Sequence, residues 1–128
     1  MKKCLTLALA AVLLLTACGC GRYSSKYFAV GFVHSNEAHN AFMSFHSFEG
    51  TMVFKLSAEN GKIRYSAELE EGSATVYYDS GGEKTPVFTI GPGESTGPAL
   101  AQTGPGRVYV IVETDGKCMN GNFSFEAV

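Results

Sequence analysis

From Tyr27 onward, apolar residues recur at every second position, which is the spacing of a half-buried strand rather than of a helix. The clearest run is Lys62–Glu71, where one face is apolar and the other carries charged and hydroxyl side chains. Apolar positions alternate in the same way in six further runs: Phe28, Val30 and Phe32; Met43 and Phe45; Met52, Phe54 and Leu56; Ala74, Val76 and Tyr78; Phe88 and Ile90; Phe123, Phe125 and Ala127.

Turn residues separate these runs. Glu70-Glu71-Gly72 and Asp79-Ser80-Gly81-Gly82 predict two consecutive hairpins. The segment between Gly91 and Gly106 holds three of the four prolines, so we expect a long connection there with a short strand around Ala99. Val108–Val112 is apolar on both faces and predicts a central strand. Only Ser35–Ala41 favours a helical turn.

This pattern predicts an all-β domain over residues 27–128. Seven or eight short strands packed face to face, as a single antiparallel β-sandwich, would bury every apolar face. A small open or closed barrel is the alternative architecture for the same pattern.

The start of the chain has a different composition. Two lysines follow Met1, and Leu5–Thr16 is an uncharged apolar run, too short to span a bilayer but typical of a signal peptide. The run ends at Leu15-Thr16-Ala17-Cys18, which resembles the bacterial lipobox. The resemblance implies transfer of a diacylglyceryl group to the Cys18 thiol and cleavage after Ala17.

An ordinary secretory signal is the alternative, but its cleavage site requires a small residue where this chain has Leu15. We therefore predict a lipoprotein signal peptide at 1–17, a lipid-anchored tether at 18–26 and the β domain at 27–128. The expected location is the extracytoplasmic face of the cell membrane, with the membrane as a partner through the lipid on Cys18.

The charge and the cysteine content of the mature chain limit its possible binding partners and disulfides. Two of the ten basic residues, Lys2 and Lys3, are removed with the signal peptide. The twelve acidic residues therefore outnumber the basic residues of the mature chain. An acidic domain without a basic stripe argues against nucleic acid. Outside the cytoplasm Cys20 and Cys118 could form a disulfide or remain two unpaired thiols.

The chain resembles a group of small β-sandwich lipoproteins of Gram-positive gut bacteria. Besides the lipobox, the resemblance rests on five stretches of the domain: Phe48-Glu49-Gly50-Thr51, Glu71–Asp79, Phe88–Glu94, Val108–Glu113 and Gly121–Phe125. It implies a lipid-anchored β-sandwich and supplies no catalytic or binding residue.

The sequence offers few residues in patterns that would support metal binding or catalysis. His34, His39 and His46 with Glu37 could hold Zn²⁺ but match no compact motif, and surface histidines are the alternative. Asp79 with Glu83, and Asp115 with Asn120, lack the order of a calcium loop. No nucleophile has a base placed beside it in the sequence. We therefore expect no catalytic residue, no metal and no cofactor.

The remaining candidate for a functional site is an exposed face of the sheet. If Val76 and Tyr78 face the core, Tyr77 faces outward, and Tyr109 is expected to do the same. Exposed tyrosines can stack on sugars or anchor a protein, although they also pack as cross-strand pairs. We therefore expect a non-catalytic binding module for a glycan or protein. The alternative is a structural or assembly component of the cell envelope.

Overall fold

The computed structural model describes residues 23–128, and every regular element in that range is a β-strand. The nine strands are β1 (Lys26–Val30), β2 (Val33–Asn36), β3 (Asn40–Ala58), β4 (Lys62–Glu71), β5 (Ala74–Asp79), β6 (Thr85–Ile90), β7 (Glu94–Gln102), β8 (Gly106–Thr114) and β9 (Cys118–Ala127). The all-β prediction is confirmed. None of the described residues forms a helix with the length and apolar character that a membrane crossing needs.

The strands form one antiparallel sheet in the order β6-β5-β8-β3-β9-β4-β7, with β1 and β2 also paired to β3. The sheet surrounds one core, and its edge strands β6 and β7 contact each other, so it is nearly closed. We call its two halves layers. The first half of β3 pairs with β9 and the second half pairs with β8. The long strand β3 therefore belongs to both layers.

A change of face in β3 allows the sheet to turn. Buried positions are odd-numbered up to Ser47 and even-numbered from Phe48 onward. At Gly50 the backbone φ is +134°, and an added Cβ would lie 2.3 Å from the carbonyl oxygen of Lys26. This close approach and this φ both require glycine. The register is unbroken in the ladders with β9 (up to Phe48) and with β8 (from Thr51), so the face changes where β3 passes from one partner to the other.

Two sequence predictions about local structure were wrong. Met43–Phe45 and Met52–Leu56 lie on the single strand β3, because the face change interrupts the alternation without ending the strand. Ser35–Ala41 forms no helical turn and is shared between β2, a bend and β3. The strand expected around Ala99 in the proline-rich segment is present, but it is longer than expected: β7 has nine residues and pairs with β4 along the sheet edge.

Aromatic and aliphatic side chains from both layers meet in the core. Phe48, Phe54 and Phe123 are fully buried. The ring of Phe125 is 5.9 Å from that of Phe54, which connects β9 to the second half of β3. Phe125 is 3% exposed and Ser124 is exposed, so the predicted orientation of the last strand is confirmed.

The run of Phe28, Val30 and Phe32 was predicted to face the core, which is wrong for Phe28 and Val30 and right for Phe32. Phe28 and Val30 are 84% and 62% exposed, whereas Ala29 and Phe32 pack against the core. The ring of Tyr27 stacks on that of Phe48 at 5.1 Å. The register places Tyr27 opposite Gly50, where the missing side chain leaves space for the aromatic ring to reach inward.

Candidate functional site

The interior leaves little space for a ligand within the described residues. Between the two layers lies an apolar void of about 10 Å³ lined by side chains that include Tyr65, Val76 and Phe125. That volume accommodates roughly one water molecule. The candidate binding surface is therefore on the outside of the sheet.

Tyr77 and Tyr109 lie on neighbouring strands of one layer, β5 and β8. Val76 and Val110 are buried in the core, so the alternating neighbours Tyr77 and Tyr109 face the other side of the sheet. Tyr77 is opposite Ile111, two residues from Tyr109 on the same face. Diagonal neighbours of this kind are about 7–8 Å apart, within reach of one bound molecule.

Both tyrosine rings are half-buried and have contacts of their own. The ring of Tyr109 meets the edge of the Tyr23 ring at 5.3 Å, and Lys55 Nζ lies 5.8 Å from its centroid. Lys84 Nζ lies 4.4 Å from the centroid of Tyr77. The same ammonium group forms an ion pair with Glu113, which fixes it over the ring. These contacts hold both rings in defined positions.

Asp79 connects this face to the start of the described chain. It is only 1% exposed, and its two carboxylate oxygens accept hydrogen bonds from Tyr23 Oη at 2.5 Å and Gly82 N at 2.7 Å. The sequence indicated the turn that brings Gly82 to Asp79. It contained no signal for Tyr23, because the two residues are 56 positions apart. Tyr23 thus joins Tyr77 and Tyr109 on one surface.

The three histidines do not converge. His34 stacks on Phe32 at 4.9 Å, His39 Nε2 lies 3.6 Å from Glu59, and His46 Nδ1 lies 3.0 Å from Asn120 Oδ1. Within residues 23–128, no three His, Cys, Asp or Glu side chains are grouped to hold a metal ion. Of the two pairs considered for calcium, Asp79 bonds to Tyr23 and Gly82, and Asn120 Nδ2 donates to Glu70.

Cys118 is fully buried at the start of β9. Its Sγ donates to the carbonyl oxygen of Ser73 at 3.3 Å. Burial raises the pKa of the thiol, because the thiolate would lose its contact with water, and the carboxylates of Asp115 and Glu49 raise it further. Cys20, the other half of the predicted disulfide, lies outside the described residues.

We expect Cys118 to be unreactive in the folded protein. In a soluble chain beginning at Tyr23, which retains Cys118 as its one cysteine, a thiol reagent should label Cys118 slowly under native conditions and fully in denaturant. Because the pKa is raised, the native labelling rate should still be rising above pH 9.0, the ordinary value for this thiol. Rapid native labelling at neutral pH would show that the thiol is accessible and ionised.

No protein-family model matches the chain, and no curated protein matches it. Among solved structures, it is similar to a cupin superfamily protein from Desulfitobacterium hafniense, with 11% identity, coverage of 87% of this chain and 84% of that chain, and a TM-score of 0.36. It is also similar to the cupin domain of Drosophila melanogaster CENP-C, with 14% identity, coverage of 81% and 75%, and a TM-score of 0.35.

Proposed function

We propose that this chain is an extracytoplasmic lipoprotein, attached to the cell membrane through a lipid on Cys18. Its β domain would serve as a non-catalytic binding module. Support for the anchor comes from the lipobox at Leu15–Cys18. Tyr23 lies five residues after Cys18, and its hydroxyl group donates a hydrogen bond to Asp79 on the sheet. The domain would therefore be held close to the membrane.

The proposed ligand surface is the face that carries Tyr23, Tyr77 and Tyr109. The observation that carries the proposal is that these half-buried rings are fixed in place by Asp79, Lys55 and Lys84 before any ligand arrives. A preorganised aromatic surface loses little conformational entropy on binding. Tyrosine offers both an apolar ring and a hydroxyl group, which suits a glycan or a protein partner.

A double variant tests this surface. Tyr77→Ala with Tyr109→Ala should abolish retention of the mature protein on an envelope glycan array, or of a protein partner in a pull-down from surface extracts. Truncating a dominant contact residue costs about 2 kcal/mol or more in binding, roughly thirty-fold in Kd. Phe42→Ala is the matched control, because Phe42 is 39% exposed on the other layer of the sheet.

Two results would count against the tyrosine surface. One is a wild-type protein that retains nothing the double variant fails to retain. The other is loss of the folded state in the double variant, measured by thermal unfolding. Either result would mean that Tyr77 and Tyr109 are packing residues.

A structural or assembly role in the cell envelope is the second candidate function. It is favoured by the exposed apolar side chains of Phe28 and Val30 on β1, whose described pairing is to β3 along one edge. Edge strands with apolar side chains are surfaces to which other chains can add. Under this alternative the protein would self-associate or co-purify with another envelope protein through β1, independently of Tyr77 and Tyr109.

A further inference from the structure

The first two strands carry an exposed apolar patch, formed by Phe28, Val30 and Val33. Their exposed fractions are 84%, 62% and 59%. Phe28 and Val30 project from the same side of β1, since the residue between them, Ala29, packs against the core. Val33 begins β2. Singly exposed apolar residues are ordinary, but three within six positions of an edge segment indicate a contact surface.

Charged groups border this patch. Lys26 alternates with Phe28 and Val30 on β1, and Lys117 lines the same shallow surface groove as those two residues. Glu49 also lines the groove and is the one acidic residue there. An apolar centre with two flanking ammonium groups suits the boundary between acyl chains and phosphate headgroups, where lysines extend toward the phosphates.

The length of chain before the domain limits how far this patch can be from the anchor. Five residues from Cys18 to Tyr23 span at most about 18 Å when fully extended. A domain of this size has a radius of gyration of about 13 Å. The tether is therefore shorter than the domain is wide. β1 begins three residues after Tyr23, so this limit allows the patch to reach the bilayer surface.

We propose that Phe28, Val30 and Val33 insert into the surface of the lipid bilayer and fix the orientation of the domain on the membrane. This inference rests on the proposed anchoring through Cys18. The lipid supplies the attachment, and the patch supplies a second contact with the membrane. Insertion of β1 would leave the domain with one preferred side toward the bilayer.

The chain contains no tryptophan, so one introduced tryptophan reports on a single position. Phe28→Trp is prepared in the full lipidated chain and reconstituted into phosphatidylcholine and phosphatidylglycerol vesicles, with and without brominated phospholipid. The matched control is Leu100→Trp. Leu100 is also apolar and 51% exposed, but lies on β7, four strand spacings (roughly 19 Å) from β2. Flotation of the vesicles measures attachment separately.

We expect Phe28→Trp to emit at shorter wavelength than Leu100→Trp and to lose most of its emission with lipid brominated near the headgroup. Leu100→Trp should remain water-exposed and unquenched. Equal emission from the two floating variants, with no quenching, would overturn the insertion and leave the anchor intact. Emission shifted to shorter wavelength but unaffected by brominated lipid would mean that protein, such as a second copy, covers the patch instead. Failure to float would overturn the anchor and the insertion together.

Discussion

Replacing Phe125 by alanine should lower the free energy of unfolding by about 3–5 kcal/mol, the range for truncating a buried phenylalanine. Phe125 is 3% exposed, packs 5.9 Å from the ring of Phe54 and lines the small void between the layers. Removing its ring would enlarge that void, because neighbours held in rigid strands collapse only partly into the space. The loss is a large part of the 5–15 kcal/mol that stabilises a typical domain.

Ser124→Ala is the matched control, since Ser124 is the preceding residue of β9 and is exposed. Thermal and denaturant unfolding of a soluble chain beginning at Tyr23 would measure both variants. We expect a fall in Tm on the order of 15 °C or more for Phe125→Ala, and little change for Ser124→Ala. Equal melting temperatures would show that β9 presents the other face to the core.

Replacing Cys18 by alanine should abolish lipid attachment completely. The thioether can form only at a thiol, and no other residue of the Leu15–Cys18 segment carries one. Each buried CH₂ group contributes about 0.8 kcal/mol to membrane binding, and stable attachment needs more than one acyl chain. Loss of the diacylglyceryl group therefore removes the anchor in one step.

Incorporation of labelled palmitate and the size of the product would measure this effect. Cys18→Ala should carry no label and accumulate as the unprocessed precursor, whereas Cys20→Ala, two residues away, should be labelled and processed like the wild type. Label on the Cys18→Ala chain, or its loss from the Cys20→Ala chain, would place the modification elsewhere.

The sequence predicted the strands that have one clear buried face. In β4, Ile63, Ala67 and Leu69 are buried while Arg64 and Glu68 are exposed, as the alternation indicated. In β9, Phe123 and Phe125 are buried as expected. Both strands lie between two partners in the sheet, and in each the face with the apolar residues is the one turned to the core.

Features that depend on distant partners were not predictable in this way. The face change of β3 between Phe45 and Phe48 interrupts the alternation and resembles a turn in the sequence. At the sheet edge, apolar residues of β1 need not face the core, because the inward positions are taken by Tyr27 and Ala29. Alternation alone gives two opposite faces but does not say which one is buried.

The candidate surface was predicted in part. Alternation placed Tyr77 and Tyr109 on the side opposite Val76 and Val110, and the structure confirms that orientation. Their coverage by other side chains was not predictable. Lys84 reaches Tyr77 across a turn, and the contact of Tyr23 with Tyr109 depends on where the first described residues lie on the sheet. Such contacts are determined by the folded arrangement of side chains that the alternation does not specify.

The mass of the mature amino terminus tests the proposed anchoring most directly. Mass spectrometry of protein extracted from the membrane fraction should find Cys18 as the first residue, carrying a diacylglyceryl group on its sulfur. An unmodified mature protein released into the medium of the wild-type strain, or a first residue other than Cys18, would contradict the account.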